Sequence, residues 1–234
     1  MSPEFRGGGM ALRVRWPDLL ARATALAGGG RRILGITGAP GAGKSTLAQR
    51  LVDALGGAAV LVGMDGYHLA QAELERVGRA ERKGAPDTFD AAGYVALLRR
   101  LRSPDAGTVY APEFRRAIEE PIAGAVAVPP EVALVITEGN YLLLDTEPWS
   151  AIRGLLDEVW FLAPDEETRR AWLTARHLRY GRTAEQAAAR TAGSDERNAR
   201  LIAQTSSRAD LILDPTLWLR TPDMETYGGS GTVN

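Results

Sequence analysis

Short apolar runs alternate with longer stretches of helical periodicity along most of this chain. The apolar runs are rich in valine, isoleucine and leucine, as in parallel strands that are buried on both faces. Such alternation predicts an α/β fold in which helices flank a parallel sheet of about five strands. The predicted strands are Ile33–Thr37, Ala58–Met64, Val132–Thr137, Glu158–Leu162 and Ala209–Leu213.

Several helical stretches begin at residues that suit the start of a helix. These residues are Asp90, Pro148, Asp165 and Thr183, the last of which forms a capping-box pattern with Gln186. The helix predicted after Asp90 carries an apolar set at helical spacing, namely Tyr94, Leu97, Leu98 and Leu101. The stretch Ser103–Pro130 is punctuated by proline and glycine, so we expect an irregular insertion or a small hairpin there.

The two ends of the chain differ in composition from its middle. Residues 1–9 read as vector-derived sequence, with the natural start at Met10. Residues 10–220 are predicted to form one domain, whose size suits a complete hydrophobic core. Residues 221–234 are rich in glycine, threonine and serine and are predicted to be a loosely held tail.

Composition is that of an ordinary soluble protein. Of the 234 residues, 45% are hydrophobic and 24% are charged, and 28 lysines and arginines nearly balance 29 aspartates and glutamates. No overall positive field therefore favours binding to nucleic acid or to a membrane surface. The chain has no cysteine, no secretory signal pattern and no apolar run of the ~20 residues that cross a bilayer. We therefore expect a cytoplasmic protein without disulfides or thiolate metal sites.

The most specific motif is Gly38-Ala39-Pro40-Gly41-Ala42-Gly43-Lys44-Ser45, which matches the phosphate-binding pattern G-x-x-x-x-G-K-[ST] at every position. It follows a predicted strand, and a helix with an apolar stripe continues from Thr46. Its glycines let backbone amides turn towards a polyphosphate, and the helix N-terminus adds partial positive charge. Lys44 is predicted to reach the β- and γ-phosphates, and Ser45 to bind Mg²⁺. The alternative is a glycine-rich turn that merely precedes a helix.

A polar cluster, Met64-Asp65-Gly66-Tyr67-His68, follows directly after the second predicted strand. Ligands of open α/β sheets bind outside the carboxyl ends of the strands. Asp65 at this position can contact both a metal ion and an incoming hydroxyl group. The alternative is that Asp65 caps a helix beginning near Tyr67.

Another acid ends the third predicted strand. The stretch Leu134-Val135-Ile136-Thr137-Glu138 resembles a Walker B element, with one small polar residue before the acid. A carboxylate at this point typically holds Mg²⁺ beside the hydroxyl of the phosphate loop, here that of Ser45. The alternative is a strand-terminal acid that faces solvent.

An arginine-rich stretch follows the fourth predicted strand. Its members at the spacing of one helix face are Arg169, Trp172, Arg176 and Arg179, and Gly181 ends that helix. Guanidinium groups beside a phosphate loop suit a lid that neutralises charge as a phosphoryl group leaves. A solvated basic face is the alternative.

Together these motifs resemble the phosphoribulokinase/uridine kinase/pantothenate kinase group of P-loop kinases. Within that group the chain resembles most the bacterial nucleoside/nucleotide kinase-like proteins, also described as fructose-transport-system kinase-like. The narrower resemblance depends on Gly84–Asp90, Val109–Pro121 and Asp195–Ile202, and the whole resemblance covers about Arg31 to Pro215. It implies a three-layer P-loop kinase fold with an Arg-rich helical lid at about residues 169–193, and ATP and Mg²⁺ as cofactors.

The resemblance also implies roles for individual residues. Asp65 takes the position of the general base, and Glu138 that of an acid that helps to hold Mg²⁺. Among the lid arginines, Arg176 is implied to clamp phosphates together with Arg169 or Arg179.

The acceptor pocket is implied at the polar cluster and at the segment Tyr110–Arg116. The implied substrate contacts are Asp65, Tyr67, His68, Tyr110, Phe114 and Arg116. Relatives often carry an acid where Arg115 stands, which implies a different or more anionic acceptor. His177 is expected to be structural.

The expected activity is in-line transfer of the γ-phosphoryl group of ATP to an alcohol hydroxyl of a sugar, a nucleoside or a pantothenate-like metabolite. The alternative is a regulatory switch that hydrolyses nucleotide and signals through a protein partner. Against that alternative, the chain has no Asn-Lys-x-Asp guanine-reading motif, and Asp53-Ala54-Leu55-Gly56 lies inside the helix after the phosphate loop. A non-catalytic nucleotide-binding module is disfavoured by the joint presence of Lys44, Ser45, Asp65 and Glu138.

Overall fold

A five-stranded parallel sheet forms the centre of the protein. The computed structural model describes residues 11–103 and 105–219, so residues 1–9 and the predicted tail 221–234 lie outside the described residues. In chain order the strands are β1 (Arg32–Gly38), β2 (Ala59–Gly63), β3 (Val109–Arg115), β4 (Glu120–Val128), β5 (Leu134–Glu138), β6 (Glu158–Leu162) and β7 (Leu211–Leu213). The sheet has the order β2-β5-β1-β6-β7 with every pair parallel, which confirms the predicted strands.

Helices cover both faces of this sheet. They are α1 (Trp16–Leu26), α2 (Lys44–Leu55), α3 (Gln71–Arg76), α4 (Ala91–Arg102), α5 (Glu166–Arg179), α6 (Ala184–Arg190) and α7 (Glu196–Ala203). Successive strand residues point to opposite faces, so Ile33 enters the core that α4 covers, whereas Leu34 enters the core of α1 and α2. These two cores make the three-layer α/β fold that the sequence predicts.

Three of the four predicted helix starts are confirmed. The carboxylates of Asp90 and Asp165 accept hydrogen bonds from backbone amides three residues on, at 2.8 and 2.9 Å. Thr183 and Gln186 form both hydrogen bonds of a capping box. Among the described residues, no helix is both long and apolar enough to cross a membrane.

The α-helix predicted at Pro148 is wrong. The segment instead forms two tight 3₁₀ turns, Trp149–Ala151 and Arg153–Leu155. The side chains of Trp149 and Ile152 both enter the core, and a 3₁₀ turn places residues three apart on one side. The tight turns therefore bury both side chains on the short path to β6.

The insertion at 103–130 is a small antiparallel hairpin made of β3 and β4, one of the two forms predicted for it. The hairpin packs against the turn Met64–Tyr67, which follows β2. At Gly66 a β-carbon would lie 2.5 Å from the carbonyl oxygen of Pro112, so only glycine allows this close approach. The hairpin thereby stands beside the polar cluster at the carboxyl edge of the sheet.

Candidate active site

The phosphate loop joins the carboxyl end of β1 to the first turn of α2. Gly41 has a φ of +84°, and a β-carbon there would lie 2.7 Å from the carbonyl oxygen of Arg169 and 2.8 Å from Cβ of Leu173. Both neighbours belong to α5, so glycine is required by the backbone conformation and by the contact with α5. The unpaired amides of the first turn of α2 face this loop.

Lys44 is held inside the loop, and its hydrogen-bond partners among the described residues carry no charge. Its Nζ donates to the carbonyl oxygens of Gly38 at 3.0 Å and Ala39 at 3.1 Å, both neutral groups. Burial lowers the pKa of Lys44 to about 8, against the opposing effect of Glu138. A polyphosphate would supply the missing countercharge.

Ser45 and Glu138 meet because β5 lies directly beside β1. Register pairs Glu138 with Ile36, and Oγ of Ser45 donates to Oε1 of Glu138 at 3.0 Å. Burial, together with the negative charge of Asp65, raises the pKa of Glu138. The carboxylate is therefore buried, and the alternative that it faces solvent is wrong.

This pair of oxygen donors fits a magnesium ion that takes its other ligands from phosphates and water. Mg²⁺ is usually held by one or two protein oxygens when a nucleotide supplies the rest. In agreement, the described residues contain no group of three or more histidine, cysteine or acidic side chains that could hold a metal by themselves. A cation beside Glu138 would also reverse the effect of burial on its pKa.

Asp65 lies in the turn Met64–Tyr67, well before the first residue of α3, Gln71. Its Oδ2 accepts a hydrogen bond from Nη2 of Arg116 at 3.1 Å. Burial raises the pKa of Asp65, but the nearby His68, Arg116 and Lys44, in that order of effect, outweigh burial and hold that pKa below its usual range. The carboxylate is therefore ionised at neutral pH, and the alternative that it caps a helix is wrong.

Aromatic rings line the acceptor side of Asp65. The ring of His68 packs on Phe89 at 4.0 Å and on Phe114 at 4.7 Å between centroids. Its Nδ1 lies 2.8 Å from the carbonyl oxygen of Asp65, an acceptor, so Nδ1 carries the proton and Nε2 can accept. Burial lowers the pKa of His68, so the imidazole is neutral at pH 7.

Three residues of the implied pocket are not brought to it. Tyr67 instead packs on Tyr94 of α4 at 5.3 Å between ring centroids. The charged groups that act on its hydroxyl also belong to α4 and its N-cap. Tyr110 lies on β3 with 58% of its surface exposed. Arg115 is exposed beside Glu113, so the residue that faces the carboxylate of Asp65 is Arg116. Arg115 is the last residue of β3, whereas Arg116 begins the turn that joins β3 to β4, so the two side chains take different directions.

Within the lid helix α5, Arg176 is the arginine whose charge acts on the groups of the site. It lies within electrostatic range of Lys44, Asp65 and Glu138. Burial, followed by the charge of Arg116, lowers the pKa of its guanidinium. These effects are those of a cation directed into the site, not of a solvated basic face.

Arg169 and Arg179 of α5 are placed differently from Arg176. Arg169 is buried, and its Nη1 donates to the carbonyl oxygen of Pro40 at 2.9 Å. Its Nη2 donates to Glu196 of α7 at 3.1 Å. Arg169 therefore braces the backbone of the phosphate loop, and Arg179 is exposed.

Sequence reasoning missed the segment Lys83–Gly84, where the lid meets the acceptor side. Nη2 of Arg190 donates to the carbonyl oxygen of Lys83 at 3.3 Å, and Nδ2 of Asn198 donates to that of Gly84 at 3.2 Å. One signal was available, since Lys83 and Lys44 are the only two lysines in a chain whose other basic residues are arginines. His177 bonds to Asp195 at 2.8 Å within the lid, which fits its expected structural part.

The sheet order, with a phosphate loop at the carboxyl end of its central strand, puts the protein in the class of P-loop kinases. Family comparison narrows that class. The profile of the Phosphoribulokinase / Uridine kinase family matches residues 33–219. The chain belongs to this family, which confirms the resemblance of its motifs.

Individual relatives agree with this assignment. The chain is 36% identical over 222 residues to a provisionally named uridine kinase of Schizosaccharomyces pombe, covering 87% of this chain and 94% of the relative. It is 42% identical over 133 residues to an ATP-dependent kinase-like protein, notR', of Aspergillus versicolor, covering 54% of this chain and 77% of the relative. A crystal structure from Silicibacter sp. TM1040, provisionally named a fructose transport system kinase, has a TM-score of 0.74 at 38% identity, covering 83% of this chain and 97% of that one.

Proposed function

We propose that the protein is an ATP-dependent kinase that transfers the γ-phosphoryl group to an alcohol hydroxyl of a small metabolite. The observation that carries this proposal is the ionised Asp65, held by Arg116 beside the phosphate loop and within electrostatic range of Lys44. The cysteine-free composition supports the further proposal that the protein works in the cytoplasm.

The donor half of the site is proposed at the phosphate loop. Backbone amides of Gly38–Thr46 would bind the phosphates, and Lys44 would exchange its two carbonyl partners for phosphate oxygens. Ser45 and Glu138 would hold Mg²⁺, which supplies countercharge to the β- and γ-phosphates.

The acceptor half is proposed around Asp65. The acceptor hydroxyl would donate to its carboxylate, which takes the proton as the oxygen–phosphorus bond forms. The low pKa of Asp65 suits a proton that leaves late, once bonding to phosphorus has made the hydroxyl acidic. Arg176 would stabilise negative charge on the transferring group from the lid side.

The test is ADP release with and without candidate acceptors, with mass detection of a phosphorylated product. Acceptors should include fructose, uridine, pantothenate and D-glycerate. Strong dependence on one acceptor supports the kinase. ADP release that ignores every acceptor but responds to a protein partner would instead support the regulatory switch.

A further inference from the structure

The ring of Phe114, on the acceptor side of the site, has two cationic side chains beside it. Nζ of Lys83 lies 5.7 Å from the centroid of the Phe114 ring, and Cζ of Arg116 lies 5.9 Å from the same centroid. The neutral ring of His68 packs on Phe114 as well. Phe114 thus has an ammonium and a guanidinium within 6 Å of its ring centroid, and the guanidinium contacts Asp65.

The charge of Lys83 has no anionic partner among the described residues. Its Nζ donates to the carbonyl oxygen of Glu119 at 2.7 Å and to Oε1 of Gln71 at 3.4 Å, both uncharged acceptors. The described part of the chain places no carboxylate within ion-pair distance of this ammonium. An ammonium has three donors, so a further acceptor can be bound.

Arg116 also has donors to spare. Of its five N–H groups, one nitrogen bonds to Asp65. Glu138 and Glu119 are the other described carboxylates that act on Arg116, and Glu119 is exposed at the tip of the hairpin. An anion on the remaining donors would sit next to the carboxylate of Asp65 without replacing it.

The backbone of Lys83 is held from the lid. Arg190 donates to the carbonyl oxygen of Lys83, and Asn198 to that of the next residue. Arg116 is held by two contacts, the ring of Tyr180 at 5.9 Å and the carboxylate of Asp65. While α6 lies against the backbone of Lys83, both cations therefore have supporting contacts of the kind that a binding site requires.

We propose that Lys83 and Arg116 form an anion subsite, so that the acceptor is an alcohol carrying a carboxylate or phosphate group. This inference rests on the proposed kinase function and names its substrate class. The acceptor's anionic group would bind the two cations while its hydroxyl faces Asp65. The hydroxyl oxygen forms a bond to the γ-phosphorus, the bond from that phosphorus to the bridging oxygen breaks, ADP leaves, and the proton passes to Asp65. The anionic group itself is unchanged.

Matched pairs of acceptors test the charge requirement. The pairs are D-glycerate and glycerol, pantothenate and pantothenol, and ribose 5-phosphate and ribose, each with MgATP and mass detection of product. We expect turnover only with a charged member, and the pair that reacts tells carboxylate from phosphate. An uncharged member with an equal or higher kcat/KM would overturn the proposal.

Lys83→Met tests the subsite itself, and Arg82→Gln is the matched control. Arg82 stands next in the chain but pairs with Asp87 at the surface. For the reacting acceptor, Lys83→Met should raise KM at least about tenfold with kcat changed less than about threefold, because it removes binding rather than chemistry. Arg82→Gln should leave both within about twofold. An unchanged KM in a folded Lys83→Met protein contradicts the subsite.

Failure of the kinase function can be told apart from failure of the subsite. If no pair supports ADP release, calorimetric titration of D-glycerate, pantothenate and ribose 5-phosphate into the protein with MgADP decides. Binding that Lys83→Met abolishes supports the subsite even then. Absence of binding by all three anions overturns it.

Discussion

At the scale of single residues, burial disfavours the charged forms of two groups of the site. It lowers the pKa of Lys44 and raises that of Glu138. Bound MgATP would relieve both effects, since phosphates offset the ammonium and a cation offsets the carboxylate. The site is therefore prepared for a ligand that brings both signs of charge together.

Asp65→Asn should lower kcat for the identified acceptor about 100-fold or more, because it removes the proposed proton acceptor while keeping the shape of the side chain. The KM for ATP should change little. Steady-state kinetics with the reacting acceptor measure both values.

The control for this substitution is Asp53→Asn. Asp53 is exposed on α2 and contacts only Gln49 by hydrogen bond among the described side chains. Asp53→Asn should leave kcat for the acceptor and KM for ATP unchanged. Near-normal turnover by Asp65→Asn would mean that another group, or water, accepts the proton.

The pH dependence of ATP capture should report the pKa of Lys44. Below about pH 8 the ammonium is charged and attracts the triphosphate, and above that pH it loses its proton in the free protein. We therefore expect kcat/KM for ATP to fall above about pH 8, by about tenfold per pH unit. Bound phosphates raise the pKa of Lys44, so kcat at saturating ATP should stay level over the same range. A parallel fall of kcat would assign the titration to another group.

The same titration of Lys44 affects the free energy of unfolding in the opposite direction to ATP capture. Burial lowers the pKa of Lys44 below its value in the unfolded chain, so the charged form destabilises the folded protein. Between about pH 8 and the ordinary lysine pKa of 10.5, the unfolded chain binds the proton and the folded protein does not. This single group therefore makes the ligand-free protein more stable as pH rises through that window.

At the scale of elements, the acceptor side depends on how closely the hairpin of β3 and β4 approaches the turn after β2. Gly66 allows the contact with Pro112, and the hairpin then presents Arg116 to Asp65. The position of the proposed base is thus determined by two elements that are far apart in sequence.

Gly66→Ala should separate these elements, because its β-carbon would lie 2.5 Å from the carbonyl oxygen of Pro112. We expect kcat/KM for the acceptor to fall at least about tenfold, since a displacement near 1 Å can cost about 100-fold. The control is Gly57→Ala, where nothing lies within 4 Å of the added carbon. Equal activity of the two variants would show that the turn can shift without cost to the site.

The sequence predicted the five sheet strands because each is a continuous apolar run, and three helix starts because a capping side chain acts on its own helix. It predicted the phosphate loop because that motif is local. It could not separate Arg115 from Arg116, since that depends on where β3 ends: Arg115 pairs with Glu120 of β4, whereas Arg116 lies in the turn beyond the strand. It could not choose between Arg169 and Arg179 as a second phosphate contact for a related reason. The buried contact of Arg169 with Pro40 joins residues 129 positions apart.

At the scale of the whole molecule, the residues of the site come from early, middle and late parts of the chain. The loop and Asp65 come early, the hairpin and Glu138 from the middle, and Arg176 from α5. Binding of nucleotide should therefore stabilise the whole domain rather than one segment.

A non-hydrolysable ATP analogue with Mg²⁺ should raise the thermal midpoint. At a free concentration of 100 times Kd the expected gain is about 2.7 kcal/mol, or roughly 5–10 °C for a domain of this size. Differential scanning fluorimetry measures the shift. Lys44→Ala should remove most of it, whereas the exposed Asp53→Asn should keep it. A full shift in Lys44→Ala would place the nucleotide elsewhere.

The bond from Arg169 to Pro40 has a mechanical consequence for the lid. It fastens α5 to the phosphate loop, and the bond from His177 to Asp195 fastens the far end of the lid back to α5. Between these anchors α6 is bracketed by Gly181, at a φ of +81°, and by the π-helical turn Thr191–Asp195. Both are places where a backbone can pivot. Opening should therefore be a swing of α6 alone on two hinges, with α5 as the fixed frame.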